Sequence, residues 1–468
     1  MSKHKLKGKD LRKIGYKSDT SKSIALNIML KSYKHIKKDE KLKILSDVKN
    51  NPENFKDDNI LSKLADEFLD IVEHKDFTSY KLKDENAAFK VFGKKFIDQN
   101  TINQMDTVMR LPISINGALM PDAHVGYGLP IGGVLATENE IIPYGVGLDI
   151  GCRMSLTIYD VPEQFLKKNS YQLKMALSEE THFGIGSKYR NKLEHEVLDR
   201  KEFKETELLR QLHGKAINQL GSSGSGNHFV EFGVVELYEN NGLQIPSENY
   251  IGILAHSGSR GLGATIAQYY TKVAMDICRL PKGAQNLAWL DVNKAEGQEY
   301  WRAMNLAGDY AKACHDVIHQ KLAKVLKLKP IAKIENHHNF AWKEIHENGK
   351  ELIVHRKGAT PAKKGEFGII PGSMTASGFI VSGLGNVNSL NSASHGAGRK
   401  MSRKRTKESI TGSAMKKLIK NAGVSLLGGG LDEAPIAYKD INQVIENQKE
   451  LVKVEGKFTP KIVKMDKG

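Results

Sequence analysis

The chain has 468 residues, 40% of them hydrophobic, enough for one large domain or two ordinary ones, which excludes a small disulfide-held scaffold. Its 70 lysines and arginines against 54 acids leave a net charge of +16 and a pI near 9.3. That balance favours an anionic partner, whether nucleic acid, nucleotide or membrane surface, without choosing among them. Three scattered cysteines, Cys152, Cys278 and Cys314, are too few for a disulfide framework and suit a reducing compartment, so a cytoplasmic location is expected. No stretch reaches the roughly 18 apolar residues of a membrane helix, and the Lys-rich start lacks an apolar leader core.

From Ser21 to about Val72 apolar residues recur at helical spacing: Ile24, Ile28 and Tyr33, then Leu42, Leu45 and Val48, then Ile60, Leu64, Phe68 and Ile71. Three amphipathic helices are predicted, with Asn50-Asn51-Pro52 breaking the second from the third and Asp57-Asp58 capping the third. This region is rich in lysine and nearly free of glycine, either a basic arm or a solvated helical face. Composition changes between Glu85 and Gly93, so a helical extension over 1–85 and a second domain over 86–468 are expected. Beyond Gly93, β-like runs (Gly133 to Ala136, Ile251 to Ala255, Ile353 to His355, Phe379 to Ser382) alternate with helical ones (Glu299 to Lys324), predicting a mixed α/β or α+β core. No internal repeat is found.

The segment Gly147 to Arg153 sets Asp149 and Cys152 three residues apart between glycines. A soft thiolate with a carboxylate suggests a transition metal, although a buried cysteine beside a capping aspartate is the bland alternative. His228, His256 and His338 stand in Gly/Ser-rich or polar segments and not on amphipathic faces, so with Asp149 and Cys152 they would complete one or two metal sites. Ligand chemistry alone favours zinc first, then manganese or iron. The runs around Gly221 and His256 let backbone amides approach phosphate, with Arg260 as a bidentate donor, or they form tight turns. No P-loop pattern is present. His395, among small residues and followed by Arg399, suits a ligand, a base or a nucleophile attacking phosphorus.

Together these motifs resemble the RtcB family of RNA-splicing ligases, from about Met105 to the C-terminus. The blocks occur in order: Met120 to Gly128, Asp149/Cys152, Asn227-His228, His256 to Arg260, His338-Asn339, Pro371 to Met374 and His395 to Arg399. The resemblance implies an α+β fold, a large mixed-sheet catalytic core carrying an N-terminal helical extension. It implies two manganese ions on Asp149, the bridging Cys152, His228, His256 and His338, and GTP as the second cofactor. His395 would be the guanylylated nucleophile. Asn227 would lie at the nucleotide phosphates, Glu231 at the guanine, with Ser373, Gly396, Ala397, Gly398, Tyr438 and the near-terminal Lys467 as further nucleotide contacts and Arg260 and Arg399 at phosphate or RNA. The Ser373 block continues Thr375-Ala376-Ser377-Gly378, so a second serine contact falls to Ser377 or is absent.

The implied activity joins RNA 3′-phosphate or 2′,3′-cyclic phosphate ends to 5′-hydroxyl ends through a histidine–GMP intermediate, in splicing or repair. Two other readings compete: a dinuclear metal phosphoesterase acting on RNA ends, and an RNA-binding factor with a relict site. No membrane partner is expected. An archease-type activator, the physiological RNA and the choice between monomer and dimer stay open.

Overall fold

The computed structural model describes residues 6–16, 18–69, 77–189, 191–346 and 349–467. Ile71 of the third predicted helix and the terminal Gly468 lie outside them. The chain divides into two compact units, Met1–Phe77 and Thr78–Gly468. Residues 78–85 belong to the larger one: Thr78–Ser79 pairs in parallel with Cys278–Arg279, and the Lys83 amide donates to the Arg110 carbonyl. Backbone pairing thus begins several residues before the lysine-rich composition ends.

The smaller unit holds helices Gly8–Lys13, Asp19–Lys31 and Lys38–Asn50 and a short helix Ser62–Ala65. Leu11, Tyr16, Ala25, Met29, Leu45, Val48, Leu61 and Leu64 form its core. The first of these helices is not foreshadowed by the apolar spacing, being a single short piece. Pro52–Phe55 forms a 3₁₀ turn at the predicted break, and the third predicted helix is assigned only from Ser62, after a turn in which Asp58 Oδ1 accepts from the Ile60 and Leu61 amides at 2.8 and 2.7 Å.

The larger unit is α+β. A five-stranded sheet runs Phe340–Ile345, Glu351–Lys357, Ile131–Thr137, Asn116–His124, Phe89–Val91. An eight-stranded mixed sheet is ordered Pro330–His337, Arg153–Tyr159, Asn249–Ser257, Phe229–Leu237, Val452–Met465, Gly378–Gly383, Phe367–Ile370, with Ser425–Leu427 added in parallel to Val452–Met465. Its outer strands meet, since Asn336 bonds both the amide and the carbonyl of Ile369. The sheet therefore wraps around Met154, Leu156, Leu254, Ile369, Ile380 and Phe458. Its opposite face is covered by helices Ser170–Glu180 and Ala295–Leu326 through Leu173, Leu177, Ile318 and Leu322. All the predicted β-like runs fall inside strands, and Glu299 to Lys324 lies within the 32-residue helix. No helix among the described residues is long and apolar enough to cross a membrane.

Candidate active site

Antiparallel neighbours set the end of one strand beside the start of the next. In this sheet that rule gathers four segments at one end: His338 just past Pro330–His337, Cys152 just before Arg153–Tyr159, His256 near the end of Asn249–Ser257, and His228 just before Phe229–Leu237. The register is tight, with His256 opposite both Met154 and Phe229 and the His338 amide donating to the Cys152 carbonyl at 2.9 Å. Residues separated by more than a hundred positions in sequence are thereby brought into contact.

The thiol of Cys152 lies 3.4 Å from His228 Nε2 and 3.1 Å from His256 Nε2. His256 Nε2 is 3.3 Å from His338 Nε2, and His228 Nε2 is 3.0 Å from Asp149 Oδ2. His256 Nδ1 donates to the Asn227 carbonyl at 3.0 Å, which fixes the tautomer and turns the Nε2 lone pair inward. The other Nδ1 atoms, of His228 and His338, are buried with no protein partner. Asp149 is oriented by the Ser259 amide at 3.1 Å, and a methyl on Gly258 would sit 2.1 Å from both carboxylate oxygens, so glycine there leaves the carboxylate in place. Asn339, at φ +57, ties the same loop down: its carbonyl accepts from Gly151, its Nδ2 reaches the Asp149 carbonyl and its Oδ1 accepts from Gly358.

Burial pushes the His256 pKa down to about 3, assisted by His228, and holds His338 well below its usual value. Burial, then the Asp149 carboxylate, drives the Cys152 thiol up. Asp149 is itself held below the ordinary range: burial raises it, but the hydrogen bond and charge of His228 outweigh that. Imidazole nitrogens, a thiol and a carboxylate crowded in this way are a donor set that could hold a cation of transition-metal type. Cys152, His228 and His256 alone place three ligand atoms within 4.8 Å of one another.

Beside the cluster a cavity of about 310 Å³ is lined by Asn227, Glu231, His256, Ser373, His395, Gly396, Ala397, Gly398, Arg399 and Tyr438 among others. His395 packs edge-on against His338, ring centroids 4.9 Å apart, and also lines the cavity, so it sits between the ligand cluster and the cavity. Its Nδ1 donates to Asp122 Oδ2 at 2.7 Å, and Asp122 is fully buried with Oδ1 left unpartnered. Burial alone would raise the Asp122 pKa; the charge and hydrogen bond of His395, with Lys439, bring it below the usual value. Gly398 adopts φ +72 and a Cβ there would meet the Asp122 carbonyl at 2.1 Å, which keeps the His395 loop against the Asp122 strand. Glu231 faces the cavity from the sheet, its pKa pushed well above the carboxylate range by burial.

Not every sequence-predicted residue joins this cavity. Arg260 is buried behind the cluster, its Nε on Ser222 Oγ and its Nη2 on the Gly184 carbonyl and Ser187 Oγ, so it pins the surrounding loops. Arg399 lines the cavity, but its guanidinium is engaged by Glu433, the Asp432 and Met401 carbonyls and Thr406, and Glu433 also accepts from Tyr438. Lys467 does not line the cavity; its amide donates to Asp466. The Ser377 hydroxyl pairs with Thr459 and does not reach the cavity either. Asp122 and Asn339 occur in the sequence blocks, yet their positioning roles emerge only from the fold.

A cluster of side chains that could hold a metal ion, a histidine oriented by a buried carboxylate and an adjoining cavity together form a candidate active site. The family model described as "tRNA-splicing ligase RtcB" matches residues 104–211 and 193–466. The chain is 34% identical over 417 residues to the "RNA-splicing ligase RtcB" of Escherichia coli K12, covering 80% of this chain and 96% of that one. It is 31% identical over 446 residues to the "tRNA-splicing ligase RtcB" of Nanoarchaeum equitans, covering 80% and 93%, and 32% identical over 417 residues to an "RNA-splicing ligase RtcB homolog 1" of Entamoeba dispar, covering 74% and 77%. The chain belongs to the RtcB family.

Proposed function

We propose that the chain is an RNA ligase that seals 3′-phosphate or 2′,3′-cyclic phosphate ends to 5′-hydroxyl ends, using GTP and two manganese ions. The observation that carries the reading is His395, oriented by Asp122 and set between the ligand cluster and the 310 Å³ cavity. Asp149, Cys152, His228, His256 and His338 would hold the metals. Bound there, the metals would supply Lewis-acid charge against phosphate oxygens and the departing pyrophosphate.

The remaining work falls to the chain's own groups. With Nδ1–H held by Asp122, His395 presents Nε2 to the α-phosphorus of GTP. The N–P bond forms as the bond to the bridging oxygen breaks, pyrophosphate leaves, and Asp122 offsets the positive charge that develops on the ring. An RNA 3′-phosphate oxygen then attacks that phosphorus and releases His395, leaving GMP on the RNA end. The 5′-hydroxyl oxygen finally attacks the RNA phosphorus, GMP departs and the phosphodiester is made; a cyclic end is first hydrolysed to the 3′-phosphate. Asn227, Ser373 and the Gly396–Gly398 backbone would meet the nucleotide, with Tyr438 on the wall and Glu231 accepting from the guanine donors. The direct test is end joining of a 3′-phosphate RNA to a 5′-hydroxyl RNA. Joining that needs both GTP and manganese and disappears in His395→Ala supports the reading, whereas GTP-independent removal of the phosphate would replace it with a phosphoesterase.

A further inference from the structure

The segment 399–420 carries nine lysines and arginines and one acid, Glu408. It folds as two short helices, Arg403–Ser409 and Gly412–Asn421, docked through Thr406, Met415 and Ile419. Met415 and Ile419 pack with Met374, Val463 and Met465, three residues that also line the active-site cavity. Within the second helix, Met415 and Ile419 are four apart on the buried face, which turns Lys416, Lys417 and Lys420 outward. Arg399, Arg403 and Lys407 are matched by Asp432 and Glu433, and Arg403 lines the cavity. Lys400, Lys404, Arg405, Lys416, Lys417 and Lys420 are exposed and in no ion pair among the described residues.

Charge at the cavity wall is thus internally balanced, while the surface leading away from it is uncompensated. Five like charges on one helical pair, with Lys400 just before it, repel one another and destabilise the free protein, and a polyanion relieves that strain. We propose that this helical pair is the track for the RNA phosphodiester backbone, gripping the strand upstream or downstream of the ends being joined without reading its sequence. The inference rests on the RNA-ligase reading for the nature of the polyanion, and on charge and position for the surface.

The test is binding of the full chain to labelled single-stranded RNA, measured by anisotropy from 50 to 200 mM salt without GTP, for wild type and for Lys404→Gln/Lys416→Gln/Lys417→Gln/Lys420→Gln. Each phosphate contact contributes about 0.7 to the slope of log affinity against log salt for a single strand, so losing four should flatten the slope by up to about 3. A 25-nucleotide RNA should lose at least about tenfold in affinity at the lower salt, and a 4-nucleotide RNA that reaches only the reacting ends should lose little. Labelling of His395 by GTP, which needs no RNA, checks that the variant is folded. Unchanged slope and affinity for the long RNA, or equal losses for both lengths, would overturn the proposal. A wild type that binds long RNA through these lysines yet joins no ends would retain the track and sink the ligase reading instead.

Discussion

Replacing Asp122 by asparagine keeps the shape of the pocket and removes one charge. Asp122 Oδ2 accepts from His395 Nδ1 at 2.7 Å with the carboxylate fully buried, so the bond is charge-assisted and unscreened by solvent. Such a bond is worth about 1.5–3 kcal/mol net, which at roughly 1.4 kcal/mol per decade corresponds to a ten- to hundredfold loss. The amide has a second effect: its NH₂ group occupies one of the two carboxylate positions, and the protein offers no acceptor to the unpartnered Oδ1. If the amide instead turns NH₂ toward His395, the imidazole must present its wrong tautomer, and losses of about 10⁴ are known for that kind of error in a buried Asp–His pair. Asp122→Asn should therefore slow single-turnover transfer of GMP to His395 by between ten- and ten-thousandfold while metal uptake stays near wild type. The assay is quench-flow labelling with α-phosphate-labelled GTP. Labelling at the wild-type rate would refute the orienting role of Asp122.

Gly258→Ala pushes a methyl into both Asp149 oxygens at 2.1 Å and should weaken manganese uptake about tenfold or more in a calorimetric titration, with the circular dichroism spectrum unchanged. Arg356 is fully buried, with Glu344 as its ion partner at 2.8 Å and Ser392 and the Leu390 carbonyl on its other donors, so Arg356→Ala should cost about 3–5 kcal/mol in denaturant unfolding. Burial lowers the Lys357 pKa from 10.5 to about 8. The folded state then binds fewer protons than the unfolded one between those values, so Lys357 makes stability rise with pH across that window. In Lys357→Met that rise should shrink by up to about 3 kcal/mol between pH 8 and 10.5, and identical stability–pH slopes would contradict it.

Much of the site was legible because its residues break local rules. Histidines in Gly/Ser-rich segments and a cysteine three residues from an aspartate are poor choices for helix or strand interiors, so they stand out from an amphipathic background. The apolar run Ile251 to Ala255 marks the strand Asn249–Ser257, and helical spacing marks the helix around Glu299 to Lys324. Pairing is not marked in this way: the Asp122–His395 contact spans 273 positions and joins the strand Asn116–His124 to the segment just after Ser392–Ser394. Arg260 is held by partners the sequence does not reveal: the fold supplies Ser222, Gly184 and Ser187 as its acceptors. The helix at Ser62–Ala65 starts later than apolar spacing places it, because Asp58 Oδ1 holds the Ile60 and Leu61 amides in a turn ahead of it.

The measurement that bears most directly on the account is incubation of wild type, His395→Ala and Cys152→Ala with manganese and α-phosphate-labelled GTP, followed by denaturing gel analysis and acid treatment. An acid-labile label on wild type alone is predicted, with His395→Ala still taking up metal and Cys152→Ala failing to. A label that persists in His395→Ala, or none on wild type with metal demonstrably bound, would contradict the assignment of His395 as the nucleophile.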